Sequence, residues 1–196
     1  MRKLTYYVAT SADGCIAGPG GETDFFPFEG DHIAGLYEEL PETFPVHARE
    51  ALGFAFGEPK RFTTVVMGRR TYEPALELGI TDPYAPLETL VFSTTLPAGV
   101  TGGVTVTSED PRAVVQALKR RGHGGIWLCG GAELAGTLAE EIDELIIKLN
   151  PVLAGDGIRL AHAPFHPRAL ALKSKRVFES GVVVLSYDVV RNAPTA

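Results

Sequence analysis

Three stretches of the chain place a glycine or a run of hydroxyl residues where an apolar run stops. In V-V-M-G-R-R-T-Y-E, Val65 to Glu73, Gly68 lets a backbone approach closely, and Arg69, Arg70 and Thr71 follow at a helix start. Free N–H groups and the helix dipole favour an anion there, and arginines fork onto phosphate oxygens. The same residues also read as an ordinary strand-to-helix turn with a solvated basic corner. In V-F-S-T-T, Val91 to Thr95, a strand ends in three hydroxyl residues, which either donate to phosphate or cap a turn. In G-I-W-L-C-G-G-A-E-L, Gly125 to Leu134, Gly130 and Gly131 separate a strand from a helix. Paired glycines there serve close approach to a ligand or tight helix–sheet packing. None of the three is a G-x-G-x-x-G fingerprint or a P-loop, and G-P-G-G at Gly18–Gly21 follows a turn and precedes acidic and aromatic residues. With no C-x-x-C or H-E-x-x-H spacing, no metal site is expected.

The elements that must position these stretches alternate in kind. Lys3–Thr10, rich in Tyr, Val and Thr, is a strand that runs into the turn S-A-D-G. Ile33, Leu36, Tyr37 and Leu40 repeat at helical spacing within Asp31–Leu40, and Pro41 ends that helix. A second short helix is expected over Val46–Phe56. Phe62–Met67, Thr89–Phe92, Val104–Val106, Gly125–Leu128 and Glu144–Leu149 are short buried strands. Between them, helices are expected at Thr71–Leu78, from Asp110 (N-cap) and Pro111 to about Arg121, and at Ala132–Ala139. Ala169–Phe178 and Val182–Val190 flank E-S-G as an antiparallel hairpin. The pattern predicts one α/β domain over residues 1–196, three-layered around a mostly parallel sheet with an antiparallel C-terminal hairpin. Ligands of such sheets bind at the carboxyl ends of strands.

Composition narrows the function further. Eighteen basic and 24 acidic side chains leave a formal charge of −6, with 45% hydrophobic residues. An acidic chain without a basic cluster is not expected to bind nucleic acid or an anionic membrane. No signal or membrane span is evident, and Cys15 and Cys129 read as reduced thiols, so a cytoplasmic protein is expected.

Taken in order, the motifs resemble a dihydrofolate-reductase-like fold. Within it they resemble the bacterial deaminase-reductase family, related to the C-terminal reductase domain of the bifunctional deaminase-reductase of riboflavin biosynthesis. The residues that carry the resemblance are S-A-D-G with Ile16-Ala17, V-M-G-R-x-T-Y at Val66–Tyr72, S-T-T at Ser93–Thr95, and L-C-G-G-A-E-L at Leu128–Leu134. I-D-E-L-I-I-K-L-N-P-V-L-A-G-D-G-I-R-L, Ile142 to Leu160, and the terminal hairpin extend it over nearly the whole chain.

The resemblance implies an NADPH-dependent reductase that passes a hydride to a small pterin- or pyrimidine-like heterocycle, and a homodimer. It implies Gly68, Arg69 and Thr71 at the cofactor phosphates, with Arg69 on the 2′-phosphate. Arg70 is grouped with them, although it also reads as a surface charge. Ser93 and Thr94 would lie by the adenosine. Gly130, Gly131, Ala132 and Glu133 would lie by the pyrophosphate and ribose, and Ala9 and Ile16 by the nicotinamide. E-T-D-F-F-P-F, Glu22 to Phe28, would form the substrate side, with Phe25, Phe26 and Phe28 stacking on the ring or simply forming core. No motif picks the acid from Asp24, Glu29, Asp31, Glu38 and Glu39. Asp24 follows the loop and precedes the aromatics, so it ranks first; if it works in catalysis, burial among the phenylalanines should raise its pKa. His32 and His47 could also donate a proton, but lone histidines in such polar helical stretches are expected at the surface. The tryptophan that relatives often carry after the first loop is absent, Ala161 stands where phenylalanine is common, and Glu29–Pro59 is long for its position. These departures leave the fold standing and the substrate open. The unassigned acid keeps open an alternative, a catalytically inactive nucleotide-binding or dimeric interaction protein on the same fold.

Overall fold

The computed structural model describes residues 1–55 and 57–191. In chain order its elements are β1 (Leu4–Thr10), β2 (Cys15–Ala17), α1 (Asp31–Glu39), α2 (Val46–Ala51), β3 (Phe62–Gly68) and α3 (Arg69–Glu77). There follow β4 (Glu88–Phe92), β5 (Gly99–Thr101), β6 (Val104–Thr107), α4 (Pro111–Arg120), β7 (Gly125–Gly130) and α5 (Ala132–Thr137). The chain closes with β8 (Glu144–Leu149), β9 (Ile158–Arg159), β10 (Leu170–Val177) and β11 (Val183–Val189). A nine-stranded sheet runs β10-β11-β8-β1-β7-β3-β4-β6-β5. The six strands from β8 to β6 pair in parallel, while β10–β11, β11–β8 and β5–β6 are antiparallel. The expected α/β architecture with its closing hairpin is the one the chain adopts.

Alternation along the strands sorts the side chains onto two faces. Leu4, Tyr6, Val66, Ile126 and Leu128 pack beneath α4 and α5 with Val115, Leu118, Leu134, Ala135 and Leu138. Val65, Met67 and Trp127 project from the opposite face against Leu40, Tyr72 and Leu87. On that second face α1 adds Leu36, which meets Phe178 and Val182 of the terminal hairpin. The three layers follow from burying both faces of a parallel sheet.

Two short pairings were not anticipated. β2 and β9 form their own two-stranded sheet, and β5 joins β6 through Gly102 and Gly103, both at positive φ. Strands of two or three residues carry no readable period. α2 ends at Ala51 rather than running on, and Phe56 of the expected helix lies outside the described residues. α3 begins at Arg69, two residues before the expected Thr71.

Buried carboxylates fasten the loops to the sheet. Glu42 is 2% exposed, and its carboxylate accepts the backbone N–H groups of Lys60 (3.1 Å), Arg61 (2.8 Å) and Phe62 (2.8 Å), so the long segment after α1 is tied to the start of β3. Glu144 of β8 meets Arg61 at 2.6 Å, Lys173 at 2.7 Å and Lys3 at 2.9 Å, and accepts a hydrogen bond from the Thr5 hydroxyl. Burial pushes its carboxyl up, but the hydrogen bonds from Lys173 and Lys3 and the charge of Arg61 outweigh this and hold it well below the usual range. A carboxyl whose pKa is lower folded than unfolded stabilises above its unfolded pKa of about 4.3, and that stability is lost as pH falls below it. The urea midpoint is therefore expected to drop steeply between about pH 5 and about pH 3. Glu144→Gln should start lower at neutral pH and show a shallower slope; equal slopes would refute this role for Glu144.

Candidate functional site

The neighbouring strands β7, β3 and β4 bring the three suspected strand ends side by side. Met67 pairs with Gly130 and Gly68 with Phe92, so Gly68–Arg69, Ser93 and Gly130–Gly131 share the carboxyl edge of the sheet. A Cβ built on Gly68 would sit 3.9 Å from both the Gly130 carbonyl oxygen and the Gly131 nitrogen. One built on Gly131 would lie 3.4 Å from the Thr71 hydroxyl. The Gly130–Gly131 peptide is cis, and Gly130 has φ 135°. Gly68 is the N-cap of α3 and offers no side-chain cap, so the first N–H groups of that nine-residue helix open towards the cluster.

The individual side chains divide. Arg69 is half-buried and pairs with Glu73 one turn along, while Arg70 is exposed. The Ser93 hydroxyl accepts the N–H groups of Thr95 (3.1 Å) and Leu96 (2.9 Å), so it caps the turn after β4, and Thr94 is exposed. Ala132 is buried at the start of α5. The Glu133 carboxylate faces outward, 2.7 Å from His162 Nδ1, and this contact raises the pKa of that imidazole. Ala9, near the end of β1, and Ile16, in the middle of β2, are half-buried.

Between β1 and β2, Asp13 of S-A-D-G performs a task that its motif did not disclose. Its carboxylate accepts the Ser11 hydroxyl at 2.6 Å and the N–H groups of Ala154 (3.0 Å) and Gly155 (2.8 Å). Those donors, the Ser11 hydroxyl foremost, hold its carboxyl well below the usual range. The turn after the first strand is thereby tied to the loop after β8.

The residues expected on the substrate side are not brought together. Asp24 is exposed, without the burial among phenylalanines that its proposed role required. Phe26 turns into the core at 6% exposure, Phe25 lies half-buried against it with ring centroids 4.3 Å apart, and Phe28 is 63% exposed. The three rings therefore form no common platform: the segment has a single inward position, which Phe26 takes. Glu29, Asp31, Glu38 and Glu39 are exposed as well. Asp31 accepts the N–H groups of Glu179 (2.8 Å) and Ser180 (3.0 Å), fastening α1 to the terminal hairpin. His32, expected at the surface, is fully buried, with Nδ1 3.0 Å from the Ser180 hydroxyl and Nε2 3.3 Å from the Pro27 carbonyl. Burial lowers the pKa of its imidazole. Cys15 and Cys129 are both free thiols. Among the described residues no group of three or more His, Cys, Asp or Glu side chains is placed to hold a metal ion, and no helix is long and apolar enough to cross a membrane.

A mostly parallel sheet with an antiparallel C-terminal hairpin and a Gly–Gly turn on a central strand defines a dihydrofolate-reductase-like fold. The chain belongs to the RibD C-terminal domain family, whose model matches residues 2–185. It is 33% identical over 184 residues to the uncharacterized protein YwjB of Bacillus subtilis, covering 92% of this chain and 95% of that one. Its fold is similar to the crystal structure of a putative riboflavin biosynthesis protein from Shewanella sp. PV-4, with TM-score 0.70 and 21% identity over 97% of this chain and 100% of that one. It is also similar to a dihydrofolate reductase from Enterococcus faecalis complexed with NADP(H) and RAB-propyl, with TM-score 0.63 and 16% identity over 95% and 96% of the two chains.

Proposed function

We propose that this protein is an NADPH-dependent reductase that transfers a hydride to a small nitrogen heterocycle of the pterin or pyrimidine kind. The observation that carries the reading is the cradle formed by Gly68, Thr71, Gly130 and Gly131 at the carboxyl edge of the sheet. Neither Gly68 (φ −83°) nor Gly131 (φ −90°) has a backbone that demands glycine, and the space beside each accepts a Cβ. Glycine at such positions leaves room for something other than the fold. Arg69 supplies a cation and α3 its free N–H groups, a donor set suited to phosphate. Family membership supports the reading, as does the NADP(H) complex of the Enterococcus protein of like fold. The residues that would hold the cofactor are Gly68, Arg69, Arg70, Thr71, Ser93, Thr94, Gly130, Gly131, Ala132 and Glu133, with Ala9 and Ile16 beside the nicotinamide. When bound, the cofactor supplies the hydride; orientation and the proton are left to the protein.

Trp127, the single tryptophan, is buried three residues before Gly130 and reports the test. Reduced nicotinamide absorbs where tryptophan emits, so saturable quenching by NADPH, with much weaker quenching by NADH, is the expected result. No response to millimolar cofactor would end the proposal. Arg69→Ala is expected to weaken NADPH by about 1–3 kcal/mol while sparing NADH. Equal losses would remove Arg69 from the 2′-phosphate. The exposure of all five candidate carboxylates favours a second reading, an inactive nucleotide-binding protein. Quenching by NADPH without NADPH consumption across a panel of pterins and pyrimidines would support it.

A further inference from the structure

Buried charges in proteins are ordinarily paired. Lys119 obeys, with its ammonium 2.7 Å from the Asp143 carboxylate. Lys148 does not: it is half-buried near the end of β8, and among the described residues its ammonium has neither a hydrogen bond nor an ion pair. Its position is defined by register. It lies opposite Ala9 of β1 on one side and Val184 of β11 on the other. By alternation it shares a face with Ile146, which lines a cavity of about 270 Å³ together with Leu36, Glu39 and Leu40 of the α1 segment. Burial chiefly, and to a smaller degree the Lys148 charge, lowers the pKa of His32 in the first turn of α1. A second open group lies two residues on. Asn150 is fully buried; its Nδ2 donates to the Thr10 and Lys148 carbonyls, while its Oδ1 is a buried acceptor without a partner. The carboxyl ends of β1 and β8, beside the Gly130–Gly131 edge, thus carry an unpaired donor and an unpaired acceptor.

Resting on the reductase reading, we propose that Lys148 is the catalytic acid, its ammonium donating a proton to the ring nitrogen of the C=N bond that is reduced. When the carbon of that bond receives the hydride, the π electron pair moves to the nitrogen. A Lys148 N–H bond breaks, a substrate N–H bond forms, and the neutral amine regains its proton from water. The carboxylates weighed for this task are exposed, and both ring nitrogens of His32 are engaged, so neither competes for it. The other titratable or charged groups on this side of the sheet include Tyr7 on β1, Cys129 on β7, Glu39 on α1, Arg176 on β10 and, at the opposite end of β8, Glu144 with Arg61, Lys3 and Lys173. Glu144 is taken by those three cations and Glu39 faces Arg176, so among the described residues none of them pairs with the Lys148 ammonium. Burial lowers the pKa of Lys148, the direction that suits a donor working near neutral pH.

The amine is read directly by NMR of the full-length protein with ¹³C-labelled lysine, the Lys148 Cε signal being assigned with Lys148→Arg. A titration midpoint below the value of about 10.4 for free lysine is expected, as is a shift of this signal when dihydrofolate is added to the NADP⁺-saturated protein. Titration with the exposed lysines, or no response to dihydrofolate, overturns the proposal whether or not NADPH binds. In single-turnover reduction of dihydrofolate, Lys148→Met should slow NADPH oxidation about 10²–10⁴-fold while leaving the Trp127 titration unchanged. Lys148→Arg keeps a cation that does not give up its proton and should not restore the rate. Full activity in either variant overturns proton donation. Failure of the cofactor reading shows separately, as absence of Trp127 quenching by NADPH.

Discussion

Replacing Glu42 with alanine is expected to cost about 3 kcal/mol or more of folding stability, the largest single-site effect on the fold. Three backbone N–H groups converge on this one carboxylate, and the side chain is 2% exposed, so water cannot take its place without opening the segment. A buried donor left without an acceptor costs about 1–3 kcal/mol, and the loss falls on Lys60, Arg61 and Phe62 together. Phe62 is fully buried at the start of β3, so slackening there reaches the strand that ends in Gly68. Glu42→Gln keeps one carbonyl oxygen and should recover part of the loss. Urea unfolding measures it: the midpoint should fall with an unchanged slope. A loss under about 1 kcal/mol for the alanine variant would mean that water satisfies these donors.

The largest functional effect outside Lys148 is expected at Gly68. Gly68→Ala should lower NADPH affinity about 10- to 100-fold while moving the melting temperature by no more than about 2 °C. The backbone at Gly68 suits any residue, and the nearest atoms to an added Cβ are 3.9 Å away, so the fold itself has no objection. A methyl group placed in a phosphate cradle, by contrast, forces the ligand away from the N–H groups of α3. Gly131→Ala should behave alike, since its nearest neighbour is the Thr71 hydroxyl at 3.4 Å. Gly130→Ala is the contrasting case: at φ 135° a side chain strains the backbone, so stability and binding should fall together. Unchanged NADPH affinity in both Gly68→Ala and Gly131→Ala would remove the cradle from the proposed function.

Much of the architecture was legible residue by residue because its causes are local. Asp110 accepts the Arg112 N–H as an N-cap and Pro111 opens α4, as two adjacent residues predict. The β-branched runs ending at Gly68, Phe92 and Gly130 became strands, because short apolar runs bounded by glycine and hydroxyl residues suit a sheet buried on both faces. Their order, with S-A-D-G before and the hairpin after, was enough to identify the family. The site was legible only in its backbone-determined half: glycines at strand ends announce themselves.

The other half depends on partners far apart in sequence. Asp24 and Phe26 stand two residues apart, yet one is exposed and the other buried, because the path of an irregular loop is set by what it lands on. His32 is buried because Ser180, 148 residues away, brings a hydroxyl to its ring. Glu133, grouped with the cofactor residues, meets His162 from a segment that crosses α5. Register sets Lys148 beside Ala9, and among the described residues it has no counter-ion. The sequence by itself determined the strands, the helices and the family, through propensities and caps that act over a few residues. Only the tertiary structure decided which ionisable groups are paired, buried or left open, because charge and desolvation depend on distances that chain order does not contain.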